Sequence, residues 1–309
     1  MLRYTMNRLK WAIITLWAVI TITFIIMHSI PGNPFAKEGT MPPAVYENLQ
    51  AHYGLDKPLL AQYGNYLLEV LRFDFGPSLK SSSISVNDYI VNGFPVSLHL
   101  GAQALAIAVF FGLILGVVAS LYRNKIPDYL SMIIAIVGIS VPNFILATVL
   151  INYLAIEFKV FPVATWATWK HTILPSIALS MMPLAFIARL MRTSMLEVMG
   201  QDYILTAKAK GLKRSSIIIK HAIRNAILPV ITILGILTAN IVTGSFIIER
   251  IFGIPGMGEM FVKGIFNRDY PVILGSTIVY SAVLVILIFI VDVAYTLIDP
   301  RIKVTGESK

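Results

Sequence analysis

The chain has 309 residues, of which 57% are hydrophobic and only 13% charged, with a mean hydropathy of +0.77. A soluble domain carries about 25% charged residues, so this composition excludes an ordinary water-soluble enzyme or binding module and puts the apolar excess in lipid. The net charge of +9 is no nucleic-acid footprint, because the basic residues lie between the apolar blocks.

About 20 apolar residues cross about 30 Å of hydrocarbon. Six blocks meet that length: Trp11 to Ile30, Val96 to Leu121, Tyr129 to Ile156, Thr172 to Arg189, Ile227 to Ile248, and Val272 to Ile298. Each is predicted helical, because lipid offers backbone N–H and C=O groups no partner. Arg3, Arg8 and Lys10 before the first block imitate a secretory leader. The apolar run is too long for one, and Ile30-Pro31-Gly32-Asn33 offers no small-x-small cleavage site, so an uncleaved helix is predicted. The predicted organisation is a tail and first helix over 1–30, an outer loop over 31–95, a core membrane domain over 96–298 and a tail over 299–309. The core domain includes an inner loop over 191–226. The outer loop contains helix-like stretches, Pro43 to Leu49 and Leu60 to Leu71, and is long enough to fold as a small lid.

Charge sets the orientation. With the N-terminus inside, inner segments hold sixteen Lys and Arg and outer segments nine, while acids divide five inside to ten outside, with Asp292 in the last helix. Lys and Arg excess marks the cytoplasmic side, so both termini are predicted to be cytoplasmic.

There are no cysteines, which excludes disulfides, thiolate catalysis and cysteine-ligated metals. The five histidines never fall at i, i+3 or i, i+4, so no metal-binding helix is expected. No phosphate-binding Gly-x-x-x-x-Gly-Lys-Ser/Thr loop occurs, and no Gly-x-Ser-x-Gly elbow.

The inner loop reads Asp202-Tyr203-Ile204-Leu205-Thr206-Ala207-Lys208-Ala209-Lys210-Gly211-Leu212. This is a short helix closed by a glycine C-cap signal. Small residues at 207, 209 and 211 allow another protein surface to approach. Pro229 then opens the fifth membrane helix, where a missing N–H costs little. From charge alone, a generic basic loop on lipid headgroups is an equal reading.

The stretch Asp202 to Pro229 resembles the coupling loop of type I ABC importer permeases, and more closely the oligopeptide/dipeptide permease branch. Matching stretches run through nearly the whole chain. They include Gly54-Leu55-Asp56-Lys57-Pro58, Phe73-Asp74-Phe75-Gly76, Gly138-Ile139-Ser140-Val141-Pro142, Thr243-Gly244-Ser245-Phe246-Ile247-Ile248-Glu249 and Ile251-Phe252-Gly253-Ile254-Pro255-Gly256. The general importer motif's leading Glu-Ala-Ala maps onto Leu205-Thr206-Ala207. Only its last Ala and Gly211 are kept, and Ala226 replaces an Ile before Leu228-Pro229.

The resemblance implies an all-α bundle of six transmembrane helices in a bacterial cell membrane. It implies a permease half that translocates oligopeptides by alternating access and performs no chemistry itself. It implies partners: a similar but distinct second permease, two cytoplasmic ATPases that bind ATP and Mg²⁺, an extracellular peptide-binding lipoprotein, and membrane lipid. It assigns ATPase coupling to Tyr203, Thr206, Ala207, Lys208, Ala209, Gly211 and Leu212, with Gly211 small so that docking can occur. No cofactor is expected in this chain. The alternatives are the same machinery with another cargo (dipeptide, glutathione, nickel chelate or sugar) and a stand-alone secondary carrier.

A peptide pathway needs adaptable hydrogen-bond partners rather than a tight charge trap. The candidates are His99 and Gln103, which share one helix face, together with Asn143, Asn240, Thr243 and Ser245. Helix–helix hydrogen bonding is the competing reading for each. Arg189 and Arg192 are read as snorkelling to the interface, and Asp292, near the inner end of the last helix, as a member of an interfacial or interhelical pair rather than a proton relay. Gly112 and Gly116 form a small-xxx-small pair that predicts close helix packing. Pro142, Pro175 and Pro183 predict kinks or breaks.

Overall fold

A computed structural model of the chain describes residues 2–29, 47, 50–51, 54–80 and 85–298, apart from the side chains of 2–5, 240, 242–244 and 291–298. Most of the predicted Pro43–Leu49 stretch, the side chain of Asp292 and the tail from 299 onward lie outside the described residues. Apart from one isolated bridge between Pro77 and Ser85, the regular structure among the described residues is helical.

Helix α1 (Leu2–Ser29) is followed by α2 (Leu59–Leu71) and α3 (Val86–Leu121). Next come α4 (Ile126–Ser140) and α5 (Asn143–Leu150), the latter prolonged as a π-helical stretch Ile151–Glu157. Helix α6 (Trp169–Met199) leads to the short α7 (Asp202–Ala209) and a connector, Arg214–Ala226, whose centre is again π-helical. The chain ends in α8 (Leu228–Phe252), α9 (Met257–Asn267) and α10 (Tyr270–Ile298). Four of these helices are long and apolar enough to cross a membrane, and up to six spans result if each of two bent pairs is one span. The bends are 110° between α4 and the α5 stretch, and 48° between the connector and α8.

Local chemistry explains where the elements begin and break. Helix α3 starts at Val86 rather than Val96, because Ser85 and Asp88 form a capping box. The Asp88 N–H donates to Ser85 Oγ at 3.1 Å, and the Ser85 N–H donates to Asp88 Oδ2 at 3.0 Å. Pro142 breaks the third predicted span: Val141 before it is extended at φ −93°, ψ 118°, as the proline ring demands of its predecessor. Pro175 and Pro183 break nothing, and α6 runs through both. It also continues past the predicted end at Arg189 to Met199.

Helix α6 is the axis of the bundle and packs against α3, α4, α5 and α8. The Gly112–Gly116 reading holds. A Cβ on Gly116 would lie 2.6 Å from Met191 Cβ and 2.7 Å from the Ala188 carbonyl oxygen, and one on Gly112 would lie 2.8 Å from Ile187 Cγ2. Gly138 brings α4 in the same way, its missing Cβ facing the Met181 carbonyl at 2.6 Å. Backbones meet here without side chains between them.

Two polar ties fix the ends. At the end carrying residues 122–125, the Arg192 guanidinium donates through Nε and Nη2 to the two carboxylate oxygens of Asp128, both at 2.7 Å. The Asn124 N–H adds a third bond at 2.9 Å. Arg192 thus holds α4 to α6 rather than simply snorkelling. At the opposite end, Glu249 is fully buried. Its carboxyl accepts from Ser97 Oγ at 2.8 Å and from the Gly258 N–H at 2.7 Å, while Ser97 Oγ accepts from the Met257 N–H at 3.0 Å. Orphan donors of the first turn of α9 are thereby satisfied by α3 and α8. Only glycine fits beside this group: a Cβ on Gly256 would run into Glu249 Oε2.

Gly116→Ala is expected to destabilise the bundle by about 1–3 kcal/mol through overpacking against an immovable carbonyl. Gly101→Ala, whose Cβ meets nothing closer than Ile241 Cγ2 at 3.5 Å, is the tolerated control. Thermal melting of the two purified variants beside the parent checks this.

Candidate functional site

The predicted coupling segment is a folded unit. Helix α7 buries Ile204 and Ala207, one turn apart, against Ile217 of the connector, with Val198 and Met199 of α6 closing the cluster. Burying one such isoleucine is worth roughly 2 kcal/mol. The connector in turn buries Ala222 and Ala226 against Met191 and Met195 of α6, and Val230 of α8 joins that cluster. The Asn225 amide donates to Tyr203 Oη at 3.0 Å and to the His221 carbonyl at 2.8 Å, tying α7 to the residues just before α8.

The helix end follows from one glycine. Gly211 adopts φ +74°. Its N–H donates to the Lys208 carbonyl at 2.9 Å, and the Leu212 N–H donates to the Ala207 carbonyl at 3.3 Å. This pair of bonds is a Schellman cap, which needs a left-handed residue after the helix. A Cβ on Gly211 would meet nothing within 4 Å. Within this chain the glycine is required by its backbone angle, and no crowding at the site demands a small residue.

The predicted coupling residues therefore divide. Tyr203, Thr206, Lys208, Ala209, Gly211 and Leu212 are exposed on one segment, while Ala207 faces inward as part of its foundation. Two residues not singled out for coupling join the exposed face, Leu205 at 55% exposure and Ile219 at 64%. Around them stand Lys208, Lys210, Lys213, Arg214 and Lys220, all exposed, and Asp202 is the only acid between residues 202 and 226. The result is a group of exposed apolar side chains among positive charges on a rigid base, with Tyr203 and Leu205 on different sides of α7. The inward Ile204–Ala207 pair was legible from helical spacing; Leu205 and Ile219 follow once that face is fixed.

At the opposite end, His99 and Gln103 do share a face, and it lines a cleft of about 350 Å³ with Trp166, Thr168, Trp169 and Thr172. The His99 and Trp166 rings meet edge-on, with centroids 5.4 Å apart. Gln103 Oε1 is buried without a hydrogen-bond partner. An acceptor left that way needs a donor from elsewhere. Asn143 sits half-buried at the start of α5, just after the 110° bend. Ser245 is buried beside the Glu249 carboxyl and belongs to the clamp. The side chains of Asn240 and Thr243 lie outside the described residues. Sequence reasoning did not anticipate the clamp: Glu249 and Ser97 are 152 positions apart, and the one visible signal was an acid between an apolar span and a Gly-rich turn.

Known proteins resemble this chain over its length. A family profile described as "Binding-protein-dependent transport system inner membrane component" matches residues 108–304, and its N-terminal companion matches residues 1–101. The dipeptide transport system permease protein DppB of Bacillus subtilis is 55% identical over 303 residues, covering 98% of each chain. The oligopeptide transport system permease protein OppB of Escherichia coli K12 is 43% identical over 305 residues, covering 98% of this chain and 100% of that one. Among solved structures, the inward-facing MetNI methionine ABC transporter superposes with a TM-score of 0.57 at 19% identity, covering 68% of this chain and 96% of that one. An amino acid ABC transporter gives 0.51 at 16%, covering 69% and 94%. These two share the fold of the bundle. The chain belongs to the family of binding-protein-dependent transport system inner membrane components, the multi-pass permease subunits of bacterial ABC importers.

Proposed function

We propose that this chain is one of two permease halves of a peptide importer, and that the exposed segment carrying Tyr203, Leu205, Leu212 and Ile219 seats in a groove of an ATPase subunit. A similar but distinct second permease completes the pathway. Two cytoplasmic ATPases bind ATP and Mg²⁺, and a peptide-binding lipoprotein delivers cargo from outside. The basic end faces the cytoplasm and both termini lie there, in keeping with sixteen Lys and Arg on that side against nine on the other.

What carries this reading is the form of the exposed segment. Its exposed apolar side chains stand on a segment held out by a buried isoleucine, a Schellman cap and the Tyr203–Asn225 hydrogen bond. The connector at its base packs against α6 and α8. A push on the segment therefore reaches two membrane helices as a rigid-body displacement, the usual currency of alternating access. The surrounding lysines and arginines suit an acidic rim on the partner.

Peptide cargo is supported by the relatives, named for dipeptide and oligopeptide transport, and by the His99–Gln103 cleft. His99, Gln103, Thr168 and Thr172 offer a peptide hydrogen-bonding partners there, and the Trp166 and Trp169 rings offer side chains a sequence-tolerant surface.

Leu205→Asp is expected to leave the protein inserted and folded, since exposed substitutions away from special features cost within about 0.5 kcal/mol. Uptake of labelled tripeptides by whole cells, and peptide-stimulated ATP hydrolysis by the purified complex, should both fall to background. Normal uptake with this variant would sink the docking assignment. Gly211→Asn should transport nearly as the parent does, whereas Gly211→Val should not, because a β-branched residue at positive φ is strained by about 1–2 kcal/mol. Equal failure of both in the same uptake assay would mean that space rather than backbone angle is required.

A further inference from the structure

Helix α2 lies within the predicted outer loop, and no transport step above uses it. It has no fully buried residue. It is held to α1 by three half-buried side chains on one side: Tyr63 Oη meets Thr21 Oγ1 at 2.6 Å, Gln62 Oε1 meets His28 Nε2 at 3.1 Å, and the Tyr66 ring stacks on Phe24 at 5.9 Å. The other side is apolar and bare. Leu60 is 85% exposed, Leu68 55% and Leu71 76%. With Ala61 and Gly64 these fall at i, i+4, i+8 and i, i+3, i+7, i+10, a single stripe along a helix. Asn65, Glu69 and Arg72 form the polar edge next to it.

Depth decides what covers the stripe. The α1 residues that hold α2 run from Thr21 to His28. Thr21 lies eight residues before the end of α1 at Ser29, or about 12 Å along the helix axis. At this level α1, a membrane span, exposes Ile22, Ile25 and Ile26. A helix docked there stands beside exposed apolar turns of that span, not beyond its end.

We propose that α2 is an interfacial helix, its Leu60–Ala61–Gly64–Leu68–Leu71 stripe resting on phospholipid acyl chains of the leaflet opposite the coupling segment. The apolar surface of α1 then continues sideways onto α2, and the polar edge formed by Asn65, Glu69 and Arg72 faces the headgroups and water. This is the division of faces that holds a helix in the plane of an interface.

The chain has no native cysteine, so single labels report unambiguously. Leu60→Cys, Leu68→Cys, Leu71→Cys, Asn65→Cys and Arg72→Cys, each labelled with bimane, are to be reconstituted with the partner subunits in phosphatidylcholine vesicles. All five sites are exposed, so the substitutions do not disturb a core. Dibromo-phosphatidylcholine should quench positions 60, 68 and 71 several-fold more than positions 65 and 72, and iodide should do the reverse. Strong iodide quenching at all five positions would put α2 in water and overturn the proposal. Protection of the stripe from both quenchers would also overturn it, showing that a protein subunit covers α2.

Discussion

Backbone meeting backbone at Gly112, Gly116 and Gly138 is the constraint on which this bundle rests. Lipid tails are as apolar as leucine, so no hydrophobic force drives one membrane helix against another. What remains is close contact, and close contact requires that nothing project from the faces that meet. Helix α3 lies against the Leu184–Met191 stretch of α6 and α4 against Met181–Ala185, with no room for a Cβ at the crossing points. Once α6 is fenced in this way, its two ends become fixed points. One carries the Arg192–Asp128 pair and the start of the coupling unit, and the other borders the polar cleft.

The same helix therefore links the two surfaces to which the proposed function assigns docking and cargo. Its end at Val198 and Met199 packs under α7, and its beginning at Trp169 and Thr172 lines the cleft of His99 and Gln103. The Glu249 clamp makes the cleft end stiff: a buried carboxyl joins α3, α8 and the first turn of α9 in one hydrogen-bonded group. Breaking such a group strands several donors at once, so it is a poor place for flexing. Motion is better absorbed at the 110° corner at Pro142. That bent pair also contains a π-helical stretch, Ile151–Glu157, where the regular i, i+4 ladder is already interrupted.

Hydropathy made the spans legible, because each lipid-crossing block is long and uniform. It misjudged the start of α3, since Asn87, Asp88 and Asn92 dilute the apolar signal there; the Ser85–Asp88 capping spacing was the local clue. Gly112 and Gly116 were readable because small-xxx-small spacing maps directly onto a helix face. Pro175 and Pro183 were not, because neighbours in the bundle decide whether a helix survives a proline. The partners of Arg192 and Glu249 lie 64 and 152 positions away, and a single sequence carries no record of such meetings. In the coupling segment, the glycine cap was visible and the exposed face was half visible. Ala207 was assigned to docking because it matches a motif, whereas its helical phase with Ile204 turns it inward.

The central claim is that the coupling unit and its membrane helices move together, as one body. The direct measurement is pulsed electron–electron distance spectroscopy on the reconstituted complex, with spin labels at Lys208→Cys on α7 and Ile236→Cys on α8, in the presence and absence of ATP. The distance between these two labels should stay unchanged on binding ATP, while the distance from each to a reference label on the second permease shifts. A changing 208–236 distance beside a motionless bundle would contradict the claim.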